Sequence, residues 1–222
     1  MSAAAALLDR LGRPGDIRLG SASSEATRRL SSGLDALDDA LGGGLPRGRI
    51  TELAGARSTG RTGLACAIAA SATRAGETIG WVDAHDTLDP EGAAAAGIVL
   101  ARTLWVRPRT PADGLRAAEV VLGAGGFGLV VLDLDVPRGA AILWPRLARV
   151  AERTGSTLLV ITLHRTAGTF AAVGLELTGR RACWSGGPGR LALLDAISSR
   201  VTIARNRLGR AAETLIVRHA GA

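Results

Sequence analysis

Between an apolar run that ends at Gly55 and an alanine-rich helical pattern from Arg61 to Arg74, residues 55–62 read Gly-Ala-Arg-Ser-Thr-Gly-Arg-Thr. This is the phosphate-loop pattern G-x-x-x-x-G-K-[ST] with arginine at the lysine position. It constrains the fold more than any other feature, because such a loop functions only between a strand that delivers it and a helix whose N-terminus faces the phosphates. Gly55, Ser58, Thr59, Gly60, Arg61 and Thr62 are therefore candidate nucleotide-binding residues. The arginine changes what the cradle can do. Lysine sends a compact ammonium onto the β/γ-phosphates, whereas a guanidinium is wide, planar and rigidly forked, and collides with or displaces the phosphate in a cradle shaped around a point charge. All 27 basic residues are arginine, so compositional drift offers a bland explanation, but a lysine needed for chemistry would be the last one lost. The expectation is a degenerate site that does not hydrolyse ATP, with no catalytic residue, no metal and no bound ATP or magnesium as cofactor.

The rest of the pattern alternates strand and helix with short connections, which implies an α/β fold with a mostly parallel sheet flanked by helices. Ser31 or Ser32 is placed to cap a helix through Leu41, which Gly42, Gly43 and Gly44 end. The spacing predicts strands over 49–54, 78–83, 103–106 and 157–162, and helices over 61–74, 89–96, 111–122 and 140–153. Leu-Val-Val-Leu-Asp over 129–133 is too apolar for an edge and reads as a central strand. After Val173 the alternation stops, and 181–184, 191–194, 201–205 and 213–217 read as antiparallel edge strands. A short N-terminal arm, helix 3–11 and strand 17–19, occupies residues 1–30 ahead of a core domain of 31–222. Such an arm packs on a neighbouring molecule or folds back on its own domain.

Hydrophobic residues make up 47% of the 222, enough for one well-buried core, but aromatics are only 3% with no tyrosine. The core must then be filled by Leu, Val, Ile and Ala, and an aromatic platform for stacked bases is not expected. A net charge of +7 attracts acidic partners, nucleic acid foremost, although arginine-rich composition by itself raises the charge. Cys66 and Cys183 stand far apart without a C-x-x-C or histidine ligand set, which argues for inert core thiols rather than zinc or a disulfide. No uncharged apolar run approaches the ~18 residues of a membrane span, and the N-terminus lacks a signal-peptide pattern. The expected location is the cytoplasm, with no membrane partner.

Asp133 ends an apolar strand of the kind that holds a magnesium-coordinating carboxylate, with Asp135 as an alternative on the same side. The segment 81–90 reads Trp-Val-Asp-Ala-His-Asp-Thr-Leu-Asp-Pro. With Leu-Ser-Ser-Gly-Leu-Asp-Ala-Leu-Asp over 30–38, Gly-Gly-Leu-Pro-Arg-Gly-Arg-Ile over 43–50 and the Gly55 loop, it resembles the core of the bacterial RecA recombinases, whose corresponding segment runs Ile-Asp-Ala-Glu-His-Ala-Leu-Asp-Pro. Arg18-Leu19-Gly20 is similar to the family's polymerisation arm, which packs onto the next protomer of a filament. Nearly the whole chain shares the likeness, most specifically up to Pro90.

The departures carry the functional reading. The resemblance implies that His85 stands where the family has the glutamate general base, and Leu163, in Ile-Thr-Leu-His-Arg over 161–165, where it has the glutamine that senses the γ-phosphate. With Arg61, that removes three separate parts of the hydrolytic machinery. The segments after Asp133 and Arg165 are too short to be the recombinases' DNA-gripping loops, and no counterpart of their separate C-terminal domain is expected. Arg205-Asn206-Arg207 is similar to the family's Lys-Asn-Lys, which reaches a neighbour's nucleotide across the protomer interface. Arg200, Arg205, Arg207 and Arg210, with Arg218, are candidate contacts for DNA phosphate or an acidic protein, against the bland reading of a solvated basic edge.

A recombinase core stripped of turnover and DNA loops but keeping its arm resembles the ImuA family, the RecA-like accessories of the bacterial mutasome. That resemblance implies a non-catalytic adaptor in damage-induced translesion synthesis, binding a catalytically inactive Y-family polymerase homologue, RecA itself through the shared protomer interface, and DNA weakly without sequence preference. Two alternatives stand beside it: a divergent ATPase that uses Arg61 with Asp86 or His85, and a cell-division inhibitor of the SulA kind.

Overall fold

In a computed structural model of the protein, the residues described are 28–134, 143–186, 193–209 and 213–220. The expected arm therefore lies outside them except at its end, where β1 (Arg29–Leu30) pairs antiparallel with β2 (Leu45–Pro46). Between these lies α1 (Asp35–Leu41). Then follow β3 (Ile50–Gly55), α2 (Arg61–Arg74), β4 (Thr78–Asp83), α3 (Pro90–Ala95), β5 (Thr103–Val106), α4 (Pro111–Ala124) and β6 (Phe127–Asp133). The chain continues through α5 (Trp144–Thr154), β7 (Thr157–Thr162), β8 (Ala171–Ser185), β9 (Leu193–Asn206) and β10 (Thr214–Ala220).

One eight-stranded sheet runs in the order β10-β9-β8-β3-β7-β6-β4-β5. Pairing is parallel from β5 through to β8 and antiparallel between β8, β9 and β10. The strands β3, β6 and β7 are buried almost throughout because both of their faces are covered. Side chains alternate along β6: Leu129 and Val131 pack with α1 and α2, while Val130 and Leu132 pack with α4 and α5. Each layer holds one fully buried tryptophan, Trp81 in the first and Trp144 in the second. The aliphatic core expected from composition is thus built around two large rings.

Two local expectations are corrected. Neither Ser31 nor Ser32 caps α1, whose N-cap is Leu34 without a side-chain bond. Gly33, at φ +75°, turns the chain a residue later, and both serine hydroxyls instead donate to the Asp38 carboxylate at 2.6 Å. After Val173 there are three long strands rather than four short ones. β8 pairs parallel with β3 over Ala171–Leu177 and antiparallel with β9 over Val173–Ser185, and register shifts at Thr178/Arg180 and Cys183/Trp184 break the period-two pattern that would have revealed it.

The turn into β2 depends on glycine. Gly44 sits at φ +116°, and a Cβ there would collide with the Leu30 carbonyl, whereas Gly42, at φ +72°, has nothing within 4 Å. Gly44→Ala is expected to destabilise by about 3 kcal/mol or more and Gly42→Ala by only about 1–2 kcal/mol. Urea midpoints at constant slope read the difference; equal midpoints for the two variants would contradict the packing described.

Candidate nucleotide site

The carboxyl ends of β3, β4, β6 and β7 lie along one rim of the sheet, where open α/β folds place their ligands. β3 delivers the loop 56–60 there, and α2 starts at Arg61. The backbone has the form of a phosphate cradle. Ser58 is left-handed at φ 62° and Gly60, the N-cap of α2, at φ 94°; no side chain caps the helix, so its first N–H groups face the loop. Gly55 passes so close to β8 that a Cβ would lie 2.7 Å from the Leu177 carbonyl and 2.8 Å from Thr59 Oγ1. Thr59 Oγ1 in turn donates to the Ala56 carbonyl at 2.8 Å. Ser58 and Thr62 are exposed, while Arg61 is half-buried.

The neighbouring strand ends supply the second wall. Asp83 is buried, and its carboxylate accepts from the Leu88 amide at 2.9 Å and the His85 amide at 3.3 Å, which folds the turn that presents His85. Asp133 lies opposite Asp83 in register and its carbonyl accepts from the Ala84 amide. Its carboxylate is close enough to α2 to act on Cys66, whose thiol is pushed up to about 12 by burial first and by Asp133 second. Leu163 lines a cleft of about 510 Å³ with Gly55 and Thr59. Gly55, Thr59 and Leu163 thus converge on one cleft, and Asp133 approaches α2, the helix that opens at Arg61. Among the described residues no cluster of three or more His, Cys, Asp and Glu side chains is formed that could hold a metal.

The basic candidates divide. Arg205 and Arg207 donate to the carbonyls of Gly168 and Thr169 at 2.9 and 2.8 Å, fastening the turn that precedes β8. Arg200 and Arg218 are exposed on β9 and β10. Arg210 and Asp135 lie outside the described residues.

Sequence reading missed Glu52. It is fully buried in the middle of β3, and its Oε1 accepts from the Thr166 amide, from Thr166 Oγ1 at 3.1 Å and from the Ala167 amide at 2.9 Å, while Oε2 has no partner. The available signal was an acidic residue within a strand bound to be covered on both faces. Glu52→Ala is expected to strand the Thr166 and Ala167 donors and to cost about 2–3 kcal/mol. Hydrogen exchange at those two amides should rise well above that of Glu52→Gln, which keeps an acceptor; unchanged exchange in Glu52→Ala would contradict the clamp.

The thiols give a second check. Because Cys66 ionises near 12 when folded and near its ordinary 9.0 when unfolded, it contributes a loss of stability as pH rises through 9. Iodoacetamide at pH 8 is expected to modify the half-buried Cys183 and to spare Cys66 until the protein is unfolded. Rapid native labelling of Cys66 would show that α2 does not seal it.

Comparison with known proteins agrees with this geometry. The RecA N-terminal domain model matches residues 2–147. RecA of Limosilactobacillus reuteri (strain DSM 20016) is 37% identical over 123 residues, 55% of this chain and 34% of that protein. RecA of Rubrobacter xylanophilus is 38% identical over 125 residues, 56% and 36%. RecA of Lactococcus lactis subsp. cremoris (strain MG1363) is 39% identical over 132 residues, 59% and 34%. The matched part spans about a third of the length of these relatives. The crystal structure of the RadB recombinase superposes with a TM-score of 0.65 at 20% identity, covering 84% of this chain and 94% of that one, a likeness of fold. With the RecA N-terminal domain model covering about two thirds of its length, including the loop and the landmark segments, the chain belongs to the RecA N-terminal domain family.

Proposed function

We propose that the protein is a non-hydrolytic RecA-like accessory protein, of the ImuA kind, that acts as an adaptor in damage-induced translesion DNA synthesis. The observation that carries this reading is the contrast at the rim between backbone and side chains. The cradle keeps its glycines, its left-handed residues and its uncapped helix N-terminus. Where the lysine, glutamate and glutamine of the resembled family would turn it into a catalyst stand Arg61, His85 and Leu163. A backbone site can bind an anion, but hydrolysis needs a positioned water and charge placed on the transferring phosphoryl group. A divergent ATPase that uses Asp86 has less support, since that carboxylate is 3.5 Å from the Arg107 guanidinium and would give up that contact to act as a base.

The family's protomer interface supports the partner part of the reading: a core shaped to pack head to tail keeps complementary faces after its chemistry is lost. Its partners in this reading are a Y-family polymerase homologue and RecA, with the segment 1–30 contributing contacts. The net charge of +7 supports weak, sequence-independent contact with DNA phosphate. In the described residues no helix is long and apolar enough to cross a membrane.

A pull-down with purified RecA and the polymerase homologue tests the adaptor role. The intact protein is expected to retain at least one of them, and a form lacking residues 1–20 to retain less; retention of neither by intact protein contradicts it. Duplex affinity should fall with salt at about 0.9 log units per log unit of salt for each phosphate contact. A salt-independent affinity would rule out phosphate-led binding.

A further inference from the structure

We infer that the outer edge of β10, with the bare sheet face beside it, is a docking site for an acidic β-strand of a partner protein. The inference stands independently of the accessory reading, since it needs only a peptide. Among the described residues β10 pairs with β9 alone, so a seven-residue strand, Thr214–Ala220, carries unpaired N–H and C=O groups along its other side. Such edges are ordinarily blunted by proline, lysine, a bulge or a covering helix. β10 contains neither proline nor lysine and pairs with β9 without a register shift.

The two faces of β10 differ. Val217 is buried in the core beneath α1 and α2, and Leu215 packs against the same cluster. Ile216 points the other way and is 67% exposed. On that face α4 and α5 cover the parallel strands, and their apolar cluster reaches no residue of β9 or β10. The bare surface is ordered by register: Ile216 lies across from Arg200 and Arg200 from Thr178, while Arg218 and Arg181 flank Ser198. Together with Trp184, 61% exposed, Ile216, Arg181 and Arg200 line a hollow of about 930 Å³ whose described lining has no acidic side chain. Of the nearby acids, Glu176 pairs with Arg165 and Asp195 accepts from Ser185 Oγ, while Glu213 is exposed just ahead of β10, outside the hollow's described lining.

Charge complementarity selects the occupant. A strand added to β10 presents alternate side chains to the two faces. Those on the Ile216 side meet arginines and those on the Val217 side meet core, so the fitting sequence alternates acidic with apolar residues. Nucleic acid would satisfy the arginines but leave the strand edge and Ile216 unused, which is why a peptide is favoured.

The test uses the full chain and a fluorescein-labelled seven-residue peptide of alternating glutamate and valine, followed by anisotropy. Saturable binding is expected, weakened about tenfold or more by N-methylation of alternate peptide amides, by exchange of glutamate for lysine in the peptide, and by Arg200→Glu or Ile216→Lys in the protein. Circular dichroism checks that both exposed-site variants stay folded. Equal affinity for the N-methylated peptide would reduce the site to charge alone and overturn strand addition. No peptide binding, together with an Arg200-dependent affinity for single-stranded DNA, would make it a nucleic-acid face. No peptide binding, together with a dimer in sedimentation that Ile216→Lys dissociates, would assign the edge to a second copy.

Discussion

Strand β3 is hydrogen-bonded along both edges, to β7 and to β8, and the rim of the molecule takes its geometry from that double constraint. At its end Gly55 meets β8 so closely that only hydrogen fits. At its centre Glu52 reaches across to fasten the backbone at Thr166 and Ala167, just beyond the segment that bears Leu163, His164 and Arg165. One strand therefore sets both the phosphate loop and the wall that faces it. The stakes are high because Glu52 is fully buried: a carboxylate there is tolerated only with strong donors, and removing either side leaves unsatisfied groups in the core.

This arrangement separates shape from chemistry. The cradle is made of backbone, and its form depends on β3, on glycines at positive φ and on the packing of α2, whose buried Leu64, Ile68 and Cys66 hold it to the sheet. None of these features is itself a side chain at residue 61, 85 or 163. A family member can thus exchange its reacting side chains while its fold, and the interfaces the fold supports, persist. Arg205 and Arg207 illustrate the same economy, since both guanidiniums fasten the Gly168–Phe170 turn to β9 and its C-terminal end and so serve the fold.

Much of this was legible from residue order. The helix Arg61–Arg74 and the strands Thr78–Asp83, Thr103–Val106 and Thr157–Thr162 have the bounds that their periodicity and punctuation imply. The loop, Asp133 and Leu163 could be brought to one rim because a parallel sheet puts the carboxyl ends of its strands on the same side. What could not be read were features set by tertiary partners. Glu52 stands out as an acid in a strand covered on both faces, but its donors, the Thr166 and Ala167 amides 114 and 115 residues away, emerge only from the fold. The full length of β8 was hidden because its bulges reset the alternation, and the serine cap gave way to a competing carboxylate, Asp38, one turn into the helix. Low aromatic content likewise says nothing of where the few rings go, and two of the four tryptophans fill the centres of the two layers.

The central claim is that the cradle survives while triphosphate turnover does not, and Arg61 is the hinge of it. Calorimetric titration of ATP with magnesium into the native protein and into Arg61→Lys, with phosphate release followed in parallel, tests this most directly. The account predicts no saturable heat and no release from the native protein up to millimolar nucleotide, and a gain of binding without release in the variant, since His85 and Leu163 remain. Micromolar binding with sustained release by the native protein would contradict it.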